Sequence, residues 1–124
     1  MSEKRDITKP DIFGPGIWFV MHTMAYQATT PEKIEAFVGF IHTMSETLPC
    51  IECRNHCSEY VRQNPPEKYR LISQNGILIG MFKWSWLFHN TVNKRLNKSL
   101  IDWETAFAMY GADSEVCSLK CALG

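Results

Sequence analysis

The chain has 124 residues, 45% apolar and 21% charged, with a formal net charge of zero. That length carries one hydrophobic core and little beyond it, and the composition excludes a disordered chain. Balanced charge excludes attraction to nucleic acid or to an anionic membrane as a global property. The polar start MSEKRDITKPD has no apolar segment of a secretory signal. The longest apolar-rich run, GILIGMFKWSWLF, contains Lys83 and is too short for a bilayer core of roughly 30 Å. A soluble protein without its own export signal is expected.

In chain order the elements read as helices. DIFGPGIWFVMHTMAYQA opens with Asp11 and repeats Trp18, Met21, His22, Ala25 and Tyr26 at three- and four-residue spacing. A second helix starts with Thr30 as N-cap and Pro31 at its first position. Its stripe is Ile34, Phe37, Val38, Ile41, Met44 and Leu48. Pro49 interrupts, and a third helix runs from Cys50 to about Gln63, where NPPEKYR stops it. A fourth is expected from Ile77 to Leu96. A short fifth spans DWETAFAMYG, with Ser99 or Asp102 as cap and Gly111 as stop. No alternation is long enough for a strand, RLISQ being the weakest point. The fold class is all-α, a four-helix bundle with a short fifth helix.

Five cysteines are unusual here, and three of them crowd with a histidine into LPCIECRNHCSEY. Cys50, Cys53, His56 and Cys57 form a zinc-type ligand list, as in a metal-stabilised interaction module. On a continuous helix, however, Cys50 and Cys57 lie two turns apart, roughly 10 Å, whereas zinc–sulfur bonds measure about 2.3 Å. No metal is therefore assigned. Cys50 and Cys53, one turn apart, are within disulfide reach. So small a loop stabilises little, and an accessible cross-link of this kind suits redox chemistry. The free N–H groups of a helix start would also favour a Cys50 thiolate. Thioredoxin-like proteins place C-x-x-C after a strand, and no such strand is expected here.

A second motif lies in WSWLFHNTVNKRLNK, where His89, Asn93 and Leu96 share a face with Trp86 a turn earlier. For any one of these polar residues, a core side chain satisfied by its neighbours is the alternative reading. Together with Trp18 and His22 on the first helix and His42 on the second, they point to a large, flat, heteroatom-rich ligand between helices.

Three motifs now stand in order: Gly14, Trp18 and His22 as G-x-x-x-W-x-x-x-H; His42, Cys50 and Cys53 as H-x7-C-x-x-C; and His89, Asn90, Val92, Asn93, Leu96 and Lys98 as HN-x-VN-x-x-L-x-K. In this the chain resembles the FAD-linked sulfhydryl oxidases of the Erv/ALR family, from about Gly14 to Lys98. The resemblance implies a flavin-linked thiol oxidase built as a helix bundle that holds FAD non-covalently. No glycine-rich dinucleotide fingerprint is present. It implies FAD contacts from Trp18, His22, His42, His89, Asn90, Val92, Asn93, Leu96 and Lys98, with Tyr26, His56 and Trp84 as further neighbours. Lys94, Arg95 and Lys98 would meet the phosphates, although Lys94 and Arg95 also read as a solvated face. Cys50 becomes the cysteine that exchanges with substrate thiols, and Cys53 the one against the flavin. Electrons would pass from protein thiols, directly or through a thioredoxin-like carrier, to FAD and then to molecular oxygen, giving hydrogen peroxide. A homodimer through the first two helices is implied as well.

Pro15 and Leu48 depart from the arginine and tyrosine common in the family. The compact form, without a further widely spaced cysteine pair, resembles the oxidases of large DNA viruses and implies host cytoplasm or virion. The organisation is then a flexible N-terminus over residues 1–12, an FAD-binding domain over 13–112 and a tail over 113–124. Cys117 and Cys121 in that tail read as an electron shuttle, as a structural or intersubunit disulfide, with Cys57 as an alternative partner for either, or as free thiols. A thiol–disulfide carrier without flavin is a second alternative, and it leaves the HN-x-VN motif unexplained.

Overall fold

The computed structural model describes residues 6–111. Helices α1 (Pro10–Gln27), α2 (Pro31–Thr47) and α3 (Ile51–Gln63) are followed by a 3-10 turn at Pro66–Tyr69. A two-residue hairpin, β1 (Ser73–Gln74) with β2 (Ile77–Leu78), precedes helices α4 (Gly80–Arg95) and α5 (Trp103–Gly111). This is the all-α bundle expected. α1 packs on α4, α2 packs on α3, and α5 closes against α1.

Helix starts follow local chemistry. Thr30 caps α2 as expected, its hydroxyl accepting from the Lys33 N–H at 3.4 Å, with Pro31 behind it. α1 begins at Pro10, ahead of both Asp11 and the expected domain start at residue 13. Proline tolerates a first helical position because its missing N–H would have no partner there. Before α5, Thr105 hydrogen-bonds the Asp102 carboxylate and holds its pKa below the usual value.

The segment after α3 corrects the sequence reading. Ile77 and Leu78 belong to a strand and not to the fourth helix, which starts at Gly80. Ser73 pairs with Leu78 and Gln74 with Ile77, around Asn75 and Gly76, whose φ values are 54° and 80°. Two central residues with positive φ are what a tight hairpin turn requires, and Asn-Gly supplies them at low steric cost.

The core joins Met21 and Ala25 of α1, Ile34, Phe37, Ile41 and Met44 of α2, Val61 of α3, and Phe82, Trp84 and Phe88 of α4. Trp84 is fully buried and donates its indole N–H to the Asn64 carbonyl at 2.7 Å, so its one polar atom is satisfied. No helix among the described residues is long and apolar enough to cross a membrane.

Gly80 fixes how α4 enters the bundle. A Cβ there would stand 1.7 Å from the Tyr69 carbonyl oxygen, which is backbone and cannot turn aside. Gly80→Ala must push α4 off the 3-10 turn, at a cost of about 3 kcal/mol, the upper end for overpacking. Denaturant unfolding should show that loss, and an unchanged midpoint would contradict the packing described.

Candidate active site

Cys50 is the N-cap of α3, and its sulfur accepts the Cys53 backbone N–H at 3.2 Å. Arg54 braces the turn before it by donating Nε–H to the Leu48 carbonyl at 2.9 Å. Cys50, Cys53 and Cys57 stand as free thiols in this structure. Hydrogen bonds from the Cys53 thiol and backbone hold the Cys50 thiol below the usual range. Cys53 lies deeper. Burial, then the hydrogen bond it gives to Cys50 and the charge there, push it up to about 11, against a smaller opposing pull from Arg95. Cys57 is buried and rises to about 12, chiefly by desolvation. The three thiols therefore differ: one is accessible with a lowered pKa, one is set back, and one is buried.

The dithiol opens on a cleft of about 1300 Å³. Ordinary small-molecule sites occupy roughly 300–1000 Å³, so a dinucleotide has room. Of the residues singled out in the sequence, Trp18, His56, His89, Val92, Asn93, Leu96 and Lys98 line it together with Cys50 and Cys53. Trp18 lies flat on His89, with centroids 3.8 Å apart and planes 3° from parallel. Asn93 is buried and donates to Asn90 Oδ1 at 3.4 Å.

Lys98 reaches the cleft through a helix-ending motif. Asn97 takes a left-handed φ of 58°. Its N–H then bonds the Lys94 carbonyl at 3.2 Å, and the Lys98 N–H returns to the Asn93 carbonyl at 2.8 Å. These two bonds are a Schellman cap, with asparagine in place of the commoner glycine. The spacing N-x-x-L-x-K thus has a backbone cause: it folds Lys98 back toward the Asn93 turn.

Other expected contacts do not line this cleft. His22 and Asn90 border a separate cavity of about 90 Å³, which His89 shares. Asn90 clamps the chain ahead of α5, accepting from the Ile101 N–H at 3.0 Å and donating to its carbonyl at 2.8 Å. His42 is exposed and hydrogen-bonds Glu67 at 2.8 Å. Tyr26 packs edge-on against Phe82 and Phe107, and Trp84 is in the core. Lys94 does not line the cleft, whereas Arg95 does.

Phe13, Ile17, Met44, Phe88 and Tyr110 also line it, and nothing in the sequence marked them beyond apolar character. The zinc reading finds no support: no group of three His, Cys, Asp or Glu residues able to hold a metal occurs among the described residues. Cys117 and Cys121 lie outside the described residues.

A dithiol at a helix start, beside an aromatic wall and two cations in a cleft of dinucleotide size, defines a helical thiol-redox domain whose lining fits FAD. The chain belongs to the Erv1 / Alr family, which matches residues 15–111. It is 38% identical over 95 residues to the FAD-linked sulfhydryl oxidase of African swine fever virus (isolate Tick/Malawi/Lil 20-1/1983), covering 73% of each chain. With FAD-linked sulfhydryl oxidase ERV1 of Arabidopsis thaliana it shares 31% over 108 residues, covering 85% of this chain and 52% of the other. Its fold matches the crystal structure of the yeast Erv1 core with a TM-score of 0.69 at 22% identity, over 90% and 91% of the two chains.

The thiol order predicts a modification order. Thiolates, not thiols, react with iodoacetamide. In the reduced protein Cys50 should be labelled first, with a pH midpoint below that of an ordinary thiol, while Cys53 and Cys57 react only in more alkaline solution. Peptide mass spectrometry across a pH series reads this directly; Cys57 labelling as fast as Cys50 would contradict it.

Proposed function

We propose that the chain is an FAD-dependent thiol oxidase that forms disulfides in protein substrates. The observation that carries this reading is the asymmetric Cys50–Cys53 pair at the edge of the Trp18–His89 cleft. Trp18 and His89 offer a planar face to a flat ring system. Asn93 offers an amide, and Arg95 and Lys98 offer charge for a diphosphate.

In the oxidised state a substrate thiolate attacks Cys50 Sγ, the more accessible sulfur. The Cys50–Cys53 bond breaks, a mixed disulfide forms at Cys50, and Cys53 leaves as a thiolate beside Arg95. A second substrate thiolate attacks the substrate sulfur of the mixed disulfide. The oxidised substrate departs and the enzyme keeps the dithiol, with two electrons and two protons more than before. Held by Trp18, His89, Asn93, Arg95 and Lys98, FAD would supply the two-electron acceptor and the route to molecular oxygen, with hydrogen peroxide as the product. Cys53, the deeper sulfur, faces the cofactor end of this path. Trp18, Phe88 and Met44 exclude water from the cleft wall.

The kinship with proteins of large DNA viruses supports work in host cytoplasm or a virion. Substrates could arrive directly or through a thioredoxin-like carrier. Phe19 and Val20 stand exposed on α1, which favours a second copy as partner and hence a homodimer.

The purified protein should be yellow, carry one FAD per chain, and consume oxygen with dithiothreitol while releasing peroxide. Cys53→Ser should retain FAD and lose at least about a thousandfold in turnover, because no disulfide can form. A colourless protein, or normal turnover by Cys53→Ser, would overturn the reading.

A further inference from the structure

Ser85 is fully buried on α4 and belongs to none of the motifs that mark the site. Its oxygen lies 2.8 Å from the Phe82 carbonyl and 2.9 Å from His22 Nδ1. A serine hydroxyl has one hydrogen to place between these neighbours. Two oxygens at such a distance repel unless a hydrogen lies between them, so the hydroxyl donates to Phe82 and accepts from His22. His22 Nδ1 therefore carries a proton.

In a neutral imidazole the second nitrogen is then an acceptor. His22 Nε2 accepts the 2.8 Å bond to His89, which makes His89 Nδ1 the donor. The same rule leaves His89 Nε2 unprotonated. Both rings are neutral, because burial holds His22 at about 3 and His89 at about 4. Trp18 lies nearly parallel over the pair, 5.8 Å from His22 and 3.8 Å from His89, and keeps the two rings close to coplanar. Ring planes 20° apart suit an in-plane N–H···N bond between them.

We propose that Ser85 is a positioning residue for the dinucleotide: its hydroxyl sets the tautomers of His22 and His89 in series, so that His89 presents a hydrogen-bond acceptor, Nε2, at the cleft. Beyond the Nδ1 bond, the His89 ring makes no further hydrogen bond among the described residues, and it borders the cleft. The ligand group that meets it is an N–H or O–H donor. An adenine amino group, a sugar hydroxyl or the flavin N3–H of FAD qualifies, whereas a phosphate oxygen or an unprotonated ring nitrogen would meet a lone pair. The polarity thus selects which part of the ligand rests on His89. With alanine at position 85 the His22 Nδ1 proton has no acceptor in the core, and the series is free to reverse. His89 would then offer a donor where the ligand also offers one.

This inference rests on the cleft being the flavin site, and its test separates the two ideas. In holoprotein labelled with nitrogen-15 histidine, long-range proton–nitrogen NMR distinguishes protonated from unprotonated imidazole nitrogens. Wild type should show the proton on Nδ1 of both His22 and His89. Ser85→Ala should lose that pattern and release FAD with a dissociation constant raised about tenfold, the size of one hydrogen bond, read by flavin fluorescence on dilution. Protons on Nε2 of both rings in wild type would overturn the proposal. So would a folded Ser85→Ala protein with unchanged tautomers or unchanged affinity. If Ser85→Ala does not fold, the wild-type tautomers alone decide. If wild type binds no FAD, the flavin reading fails, and the tautomers are still measurable in the flavin-free chain.

Discussion

The first N–H groups of a helix have no partner inside it, and at the start of α3 a cysteine sulfur supplies one. That single exchange sets much of the chemistry. Because Cys50 accepts the Cys53 N–H at 3.2 Å, it is held outside the helix, accessible, and more acidic than an ordinary thiol. Because Cys53 is the third residue of the helix, it turns inward and loses solvent, which raises its pKa. The division of labour between the two sulfurs is thus a consequence of where the helix begins. Pro49 and the Arg54 bond to the Leu48 carbonyl fix that beginning.

The far side of the cleft is organised by backbone as much as by side chains. The left-handed Asn97 ends α4 and returns Lys98 toward Asn93, so one helix contributes stacking, amide and cationic groups in succession. Asn90 and the indole N–H of Trp86 both bond the Ile101 carbonyl, tying the approach to α5 onto α4. Residues of one motif therefore divide their work: Val92, Asn93 and Lys98 line the cleft, Asn90 holds the next segment in place, and His89 joins the cleft to the buried histidine pair.

The helices were legible in the sequence because their apolar positions recur at helical spacing, and Thr30–Pro31 marks a start with a known mechanism. The hairpin was not, because its strands have two residues each and Ile77–Leu78 continue the apolar pattern of α4 without a break. Asn75-Gly76 was the one available turn signal. The dithiol and part of the cleft lining were legible from motif spacing. That spacing says which face of a helix a residue occupies but not how deep it lies, so Trp84, Tyr26 and His42 could not be separated from Trp18 and His89. Ser85 could not be found at all. A helical serine carries no periodic signal, and its partner is 63 residues away in sequence.

The central claim is that Cys53 sulfur and the bound flavin share one dry wall of the cleft. It is tested most directly by the absorbance spectrum of the Cys50→Ser holoprotein, in which Cys53 has no disulfide partner. A Cys53 thiolate against the flavin should add a long-wavelength charge-transfer band that grows as pH rises through the Cys53 pKa. The band should be missing from the Cys50→Ser/Cys53→Ser double variant. A flavin spectrum that does not change with pH, or a band that survives in the double variant, would contradict the account.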